Sequence, residues 1–186
     1  LISGMENQIL LSDQLRLIRI QPEDQPTLFT LMDEVYRASY RYIWYDEGDW
    51  YVDLIYRPET VLKELSRSRS HYFFVEWNKE KIGILKYDFP FSPREIEIPN
   101  AMKLHRLYLH PKAHGKGIAP ILMQHCEEVA KENRLDSIWL EAMECQPQAK
   151  RFYEKNGFEH LMTYALNFEQ MYPEYRNIQI MRKRIG

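Results

Sequence analysis

The sequence predicts a single α/β domain built on a mixed β-sheet of about seven strands, with helices on both faces of the sheet. The chain has 186 residues, 45% of them hydrophobic, which is enough for one domain that buries about two-thirds of its unfolded surface. Apolar residues change period along the chain and predict the order β-α-α-β-β-β-α-β-α-β-β. Neither an internal repeat nor a linker interrupts this order, so we expect one domain over residues 5–186.

The first half of the chain begins with a strand and two helices. Alternating apolar residues predict a strand over 14–21, and prolines open the helices predicted over 22–38 and 58–69. Two β-type runs, 71–77 and 81–89, meet at the polar run from Asn78 to Lys81 and predict a hairpin.

The second half alternates strands with helices. It has predicted strands over 103–110 and 137–142, and the latter is short and mainly apolar, which is typical of a buried strand. Helical spacing of apolar residues predicts a helix over 118–133, and a second helix over 148–156 ends at a glycine C-cap. Two further strands, 158–166 and 178–184, complete the sheet.

Composition limits the classes of partner. A formal charge of −2 gives no general attraction to nucleic acid or anionic lipid, and no apolar run approaches the roughly twenty residues that cross a bilayer. We therefore expect a cytoplasmic protein that binds neither nucleic acid nor membranes. Cys126 and Cys145 lack a C-x-x-C spacing and are expected to be free thiols. Residues 1–4 precede Met5 and are expected to be an expression remnant.

A glycine loop is the most informative motif. After the strand over 103–110, the chain passes through Pro111 into a loop with Gly115 and Gly117 and then opens a helix. Such a loop can direct several backbone N–H groups, and the positive end of the helix dipole, at a phosphate. The pattern G-x-x-x-x-G-K-[ST] of nucleoside-triphosphate loops does not occur in the sequence, and Pro120 stands where a dinucleotide fold needs its third glycine.

Two blocks of sequence resemble the GNAT acetyltransferase superfamily. The run from His114 to Ala119 resembles the signature Q/R-x-x-G-x-G/A, which wraps the pyrophosphate of acetyl-CoA, and departs from it at His114. The run from Gln146 to Phe158 resembles N-x-x-A-x-x-[FL]-Y-x-x-x-G-F and departs at Gln146, where asparagine is usual. The resemblance covers residues 107–158 and implies a V-shaped splay between two central parallel strands.

The resemblance also implies a cofactor and a set of site residues. Acetyl-CoA is the expected co-substrate, with no metal. The family pattern makes Tyr153 the expected acid that protonates the departing thiolate, although packing within the last helix is an alternative. The residues expected to bind the cofactor are Leu107, Tyr108, Leu109, His114, Gly115, Lys116, Gly117, Ile118, Ala119 and Gln146.

The general base stays open at this point. His105, Glu141 and Glu144 lie on or just beyond the two central strands, and a water chain is a further alternative. Strand alternation places His105 on the side of Leu107 and Leu109, and Glu141 opposite its neighbours.

The acceptor region is expected to follow the first helix. The segment 36–51 is dense in aromatic and acidic residues, which suit a small, cationic primary amine. The same aromatics could instead cover the sheet or form a dimer surface, and members of the superfamily often form homodimers. The resemblance implies an N-acetyltransferase that works by direct attack in a ternary complex. The alternative is a non-catalytic module that binds acyl-CoA.

Overall fold

The computed structural model describes residues 7–186, which form eight β-strands and five α-helices. The strands are β1 (Gln8–Leu10), β2 (Leu15–Arg19), β3 (Ser70–Trp77), β4 (Glu80–Asp88), β5 (Ala101–Leu109), β6 (Ser137–Met143), β7 (Glu159–Ala165) and β8 (Asn177–Arg184). The helices are α1 (Gln25–Tyr40), α2 (Asp49–Tyr56), α3 (Pro58–Leu65), α4 (Ile118–Glu132) and α5 (Pro147–Lys155). Residues 1–4, the expected expression remnant, and residues 5 and 6 lie outside the described residues. No helix within 7–186 is long and apolar enough to cross a bilayer.

The strands form one mixed sheet in the order β1-β2-β3-β4-β5-β6-β8-β7. Every neighbouring pair is antiparallel except β5 and β6, which run parallel and pair only from Ala101↔Ser137 to Lys103↔Trp139. Beyond this point β5 continues along β4 and β6 continues along β8, so a gap opens between them. The expected V-shaped splay is therefore confirmed.

Helices cover both faces of the sheet, as predicted. Helix α4 buries Leu122 and Met123 in a core with Leu140 of β6, and Tyr153 of α5 packs against the same core. Helices α1 to α3 form the other core, in which Met32 is fully buried. The sheet thus separates a face covered by α1, α2 and α3 from a face covered by α4 and α5.

Two elements were not predicted from the sequence. Strand β1 has three residues at the sheet edge, too few for a period to show. Helix α2 begins at the end of the aromatic segment 36–51, and only Val52 and Tyr56 of its eight residues are buried, too few for a helical period to show. The prediction of about seven strands was therefore one strand short.

A β-bulge in β5 changes the direction of His105. Lys86 pairs with Arg106 and the next residue, Tyr87, pairs with Leu104, so His105 is the extra residue. Its ring contacts Lys86 on the face of α1 to α3, whereas Leu107 and Leu109 pack against the core under α4. The prediction that His105 shares a side with Leu107 and Leu109 is wrong, because alternation does not continue through a bulge.

Gly83 of β4 allows the close approach of β5. A Cβ atom at this buried position would collide with the backbone carbonyl oxygen of Tyr108. We expect Gly83→Ala to lower the free energy of unfolding by about 1–3 kcal/mol, because the two strands must move apart. Urea denaturation measures this loss, with the exposed Gln124→Ala as control. A urea midpoint for Gly83→Ala equal to that of the wild type would contradict the close approach of β5 to Gly83.

Candidate active site

The glycine loop leaves backbone donors free at the start of α4. Gly115 and Gly117 have φ values of 75° and 74°, in the left-handed region that glycine adopts without strain. Gly117 is the residue before the first turn of α4, and neither a capping side chain nor an acidic residue occupies that turn. The N–H groups of this first turn have no partners within the helix and lie at the positive end of its dipole, which suits an anion.

A cleft lies between this loop, α5 and the end of α1, and we call it the loop cleft. Its volume, measured out to solvent, is about 1340 Å³. Nine of the ten predicted cofactor-binding residues line it, and Lys116 is the exception. The nine are Leu107, Tyr108, Leu109, His114, Gly115, Gly117, Ile118, Ala119 and Gln146. Lys112, before the glycine loop, forms an ion pair with Glu80 and does not line the loop cleft.

A second cavity lies on the opposite side of the splay, and we call it the inner cavity. It is the more enclosed of the two, and its volume, also measured out to solvent, is about 1040 Å³. The strands β5 and β6 contribute His105 and Glu141 to its wall. Its aromatic lining consists of Tyr36, Tyr40, Trp44, Tyr51, Tyr108, Tyr153 and Phe168.

The aromatic segment 36–51 serves two surfaces. Four of its residues, Tyr36, Tyr40, Trp44 and Tyr51, line the inner cavity. Tyr42 and Tyr45 are instead exposed, and the ring of Tyr45 lies 4.1 Å from that of Tyr172. The segment therefore contributes both to a cavity wall and to the protein surface, and its use as an acceptor pocket or as a dimer surface stays a prediction.

The loop cleft and the inner cavity meet at Tyr153. Both are lined by Tyr40, Leu107, Tyr108, Ala149 and Tyr153, which lie around the splay. Burial, with a smaller contribution from the nearby Cys126, raises the pKa of Tyr153 to about 12. Its hydroxyl is therefore protonated at neutral pH, on a residue that lines both cavities.

A buried network of charges lies beside the inner cavity. Arg106 donates two hydrogen bonds to Glu64, of 2.7 and 3.0 Å, and Lys86 Nζ lies 3.4 Å from Glu64 Oε2 and 2.7 Å from both carboxylate oxygens of Asp88. Burial alone would raise the pKa of Glu64, but Arg106 and Lys86 lower it to about 2. Burial would likewise raise the pKa of Asp88, and the contacts with His105 and Lys86 lower it by more.

His105 is joined to this network through Nδ1. This nitrogen lies 2.8 Å from Lys86 Nζ and 3.0 Å from Asp88 Oδ2. Burial, and next the charge of Arg106, lower the pKa of His105 to about 3. The imidazole is therefore neutral at neutral pH.

The two candidate carboxylates differ in position. Glu141 lies in the inner cavity, where Tyr164 donates a hydrogen bond of 2.8 Å to Oε1 and Lys103 lies 3.3 Å from Oε2. Glu144 is exposed, accepts a hydrogen bond of 2.8 Å from Asn177 and lines neither cavity. The structure thus brings Glu141 and His105 to the site and leaves Glu144 outside it.

Gln146 connects two elements at the mouth of the loop cleft. Its Nε2 donates to the hydroxyl of Tyr42 at 3.0 Å and to the carbonyl of Ser39 at 3.3 Å, while the Tyr42 hydroxyl donates to the carbonyl of Cys145. These bonds hold the end of α1 against the start of α5. The expected contact of Gln146 with pantetheine stays a prediction, and its Nε2 is already occupied.

The sequence interpretation missed the partners of His105 and Arg106. Lys86 and Asp88 fall inside an otherwise apolar predicted strand, and Arg106 falls inside another. Charged residues in buried strands are rare unless they are paired. The presence of these three residues in predicted strands therefore indicated a buried cluster of paired charges. Their partner Glu64 lies on α3 and no sequence pattern connects it to them.

A comparison with protein families identifies the family to which the chain belongs. A model described as the acetyltransferase (GNAT) family matches residues 29–158, and the chain belongs to this family. A curated relative, an uncharacterized N-acetyltransferase in the pepI 3′ region of Lactobacillus delbrueckii subsp. lactis, is 29% identical over 94 residues. The match covers 50% of this chain and 54% of that protein, so the chain spans about half the length of this relative.

Solved structures share the fold. The PaiA N-acetyltransferase of Thermoplasma acidophilum, crystallised with coenzyme A, superposes with a TM-score of 0.69 at 22% identity, over 91% of this chain and 98% of that one. A chimera of the spermidine N-acetyltransferase SpeG of Vibrio cholerae with hSSAT has a TM-score of 0.66 at 22% identity, over 92% and 96%. At these identities the likeness establishes the fold alone.

The ion pair between Glu64 and Arg106 predicts a pH-dependent stability. The pKa of Glu64 is lower in the folded protein than in the unfolded chain, so its contribution is complete above about pH 5 and disappears as the pH falls toward 2. We expect Glu64→Gln to lose about 3 kcal/mol of unfolding free energy at pH 7, because Arg106 is left without its buried partner. The difference in unfolding free energy between the variant and the wild type should become smaller as the pH falls from 5 to 3.

Chemical denaturation at several pH values measures both effects. Glu59→Gln, on the exposed face of the same helix, is the control and should stay within about 0.5 kcal/mol of wild type. A difference for Glu64→Gln that is constant from pH 7 to pH 3 would contradict the lowered pKa.

Proposed function

We propose that the protein is an acetyl-CoA-dependent N-acetyltransferase, in which the primary amine of a small molecule attacks the thioester directly in a ternary complex. One observation carries the proposal. The loop cleft and the inner cavity open on opposite sides of the splay and meet at Tyr153. Two substrates that enter from opposite sides can therefore meet at a proton donor without a covalent enzyme intermediate.

The loop cleft is the proposed site of acetyl-CoA. The pyrophosphate would be held by the N–H groups of residues 115–119, because that of His114 already donates to the carbonyl of Pro111. Pantetheine would run along the backbone of β5 at Leu107, Tyr108 and Leu109. The fit is supported by the edge of β5, which faces the splay without a partner strand beyond Lys103. Unpaired backbone groups of a strand edge are free to bind an extended chain. The PaiA structure with coenzyme A supports the same class of cofactor.

Tyr153 is the proposed general acid. When the amine nitrogen bonds to the carbonyl carbon and the carbon–sulfur bond breaks, the thiolate needs a proton. A tyrosine with a pKa of about 12 is protonated at working pH and lies where the cavities join. The backbone N–H of Leu109 or a neighbour is the proposed donor to the developing oxyanion.

The inner cavity is the proposed acceptor site. Its aromatic rings suit the apolar body of an amine and the charge of its ammonium form, and Glu141 supplies a carboxylate. The spermidine N-acetyltransferase structures are of proteins that act on a cationic amine, which is the class of acceptor we propose here. A single domain over residues 5–186, a cytoplasmic location and a homodimer complete the proposal.

The assay is acetyl transfer to a panel of amines, followed by the free thiol that coenzyme A releases. Polyamines, amino sugars and amino-acid derivatives form the panel, and calorimetry measures acetyl-CoA binding in parallel. Thiol release that depends on one of the amines supports an acetyltransferase. Tight binding of acetyl-CoA with no transfer to any amine would instead favour a non-catalytic module that binds acyl-CoA.

Tyr153→Phe tests the proposed acid. We expect kcat to fall by about 10²-fold, because the thiolate loses its proton donor, while the dissociation constant of acetyl-CoA changes little. The matched control is Tyr45→Phe, whose ring is 57% exposed and lines neither cavity. Full activity of Tyr153→Phe across the pH range would remove Tyr153 from this role.

A further inference from the structure

We infer that Glu141 is the general base of the reaction, and that Lys86 and Asp88 are positioning residues that hold His105 as a hydrogen-bond donor to the inner cavity. This assignment rests on the proposed function. It resolves the choice between His105 and Glu141, both of which line the inner cavity.

The surroundings of Lys86 determine the role of His105. The Lys86 ammonium has three N–H donors and no acceptor. Three acceptors surround it: the carboxylate of Asp88 at 2.7 Å, Nδ1 of His105 at 2.8 Å and Oε2 of Glu64 at 3.4 Å. Asp88 Oδ2 lies 3.0 Å from the same Nδ1 and is the acceptor that a proton on Nδ1 would have. That proton would also place two donors, Nδ1 and the Lys86 ammonium, 2.8 Å apart next to a buried positive charge, whereas without it the ammonium donates both to Nδ1 and to Asp88. The arrangement is satisfied when Nδ1 accepts from Lys86, so the ring proton of His105 is on Nε2.

This tautomer makes His105 unsuitable as a base. Nδ1 is occupied by Lys86, and Nε2 carries the proton and can only donate. The pKa of the ring is lowered to about 3, because a second proton is held weakly beside Lys86, Lys103 and Arg106. This low pKa also makes His105 a poor base. His105 can therefore orient a substrate or a water molecule, and another group must take the proton of the amine.

Glu141 has the required position. Among the described residues it is the only carboxylate that lines the inner cavity. The last parallel pair is Lys103 with Trp139, and His105 and Glu141 each come two residues after it, on opposite sides of the splay. Tyr164 and Lys103 hold the carboxylate in place, yet each of its oxygens keeps a further lone pair for a proton.

With Glu141 as the base, every proton in the reaction has a donor and an acceptor. The nitrogen of the neutral amine bonds to the carbonyl carbon of the acetyl group and gives a proton to the Glu141 carboxylate. The carbon–sulfur bond breaks, and the thiolate takes a proton from Tyr153, which also lines the inner cavity. Solvent then returns a proton from Glu141 to Tyr153, and the products are the amide and coenzyme A.

Nitrogen NMR of the histidine ring tests the tautomer without any activity. We expect the spectrum of the labelled protein to show a protonated Nε2 and an unprotonated Nδ1 for His105 at neutral pH, with the resonance assigned by its loss in His105→Gln. A proton on Nδ1 would overturn the assignment, because Nε2 would then be free to act as the base.

Kinetics of Glu141→Gln test the base. The groups that face Glu141 from the neighbouring elements are Lys103, His105, Tyr164 and Tyr51. At neutral pH we expect kcat to fall by about 10²-fold with little change in the KM of acetyl-CoA. The kcat of the variant should keep rising into the alkaline range, where hydroxide replaces the base, while that of the wild type levels off. Glu144→Gln is the matched control and should behave as wild type, since Glu144 lies outside both cavities.

Two substitutions of His105 distinguish a role as hydrogen-bond donor from a role as general base. Glutamine keeps an N–H donor near the position of Nε2, so we expect His105→Gln to retain most of the wild-type kcat, whereas His105→Leu should lose more. Equal large losses in both His105 variants, with Glu141→Gln fully active, would overturn the inference while leaving the proposed function intact. A wild type that binds acetyl-CoA but acetylates no amine refutes the proposed function, and with it the base role of Glu141.

Discussion

The separation of β5 from β6 after three paired residues is the constraint on which the rest of the site depends. From Ala101 to Lys103 the two strands are neighbours in a continuous sheet, and beyond Lys103 the facing edge of β5 has no partner. A sheet that stayed paired would have no passage between its faces. Because it opens, a cleft on the side of α4 and α5 and a cavity on the side of α1 to α3 meet at Tyr153.

An opening in the middle of a sheet must be held in shape by something other than the strand ladder. Here β4 and the bulged β5 carry the charged residues Lys86, Asp88 and Arg106, which are fixed to one another and to Glu64 of α3. A buried charge without a partner lowers the stability of a protein. In this network the charges cancel, since two carboxylates and two cations surround a neutral His105. The same network that stabilises the wall of the inner cavity therefore orients a side chain within it.

The sequence predicted the parts of the fold that depend on local pattern. The helix after the glycine loop has a clear apolar period, and the loop itself is recognisable from Gly115 and Gly117, so both were found. Eight of the nine predicted cofactor-binding residues in the loop cleft lie together because the motif and its flanking strand are contiguous in the chain, and the ninth is Gln146. The roles of these residues stay predictions.

Features that depend on distant partners could not be predicted. The direction of His105 is set by a bulge, which one extra residue produces without any signal in the apolar pattern. The partner of Arg106 lies 42 positions away on another element. The role of Gln146 was expected from a motif, whereas its contacts with Ser39 and Tyr42 depend on how α1 meets α5.

Amide hydrogen exchange with and without acetyl-CoA tests the central claim most directly. The claim is that the free edge of β5 binds the cofactor in place of a neighbouring strand. It predicts that acetyl-CoA slows exchange in residues 107–109 as well as in the glycine loop over 114–119. Protection confined to the loop, with unchanged exchange along β5, would contradict it.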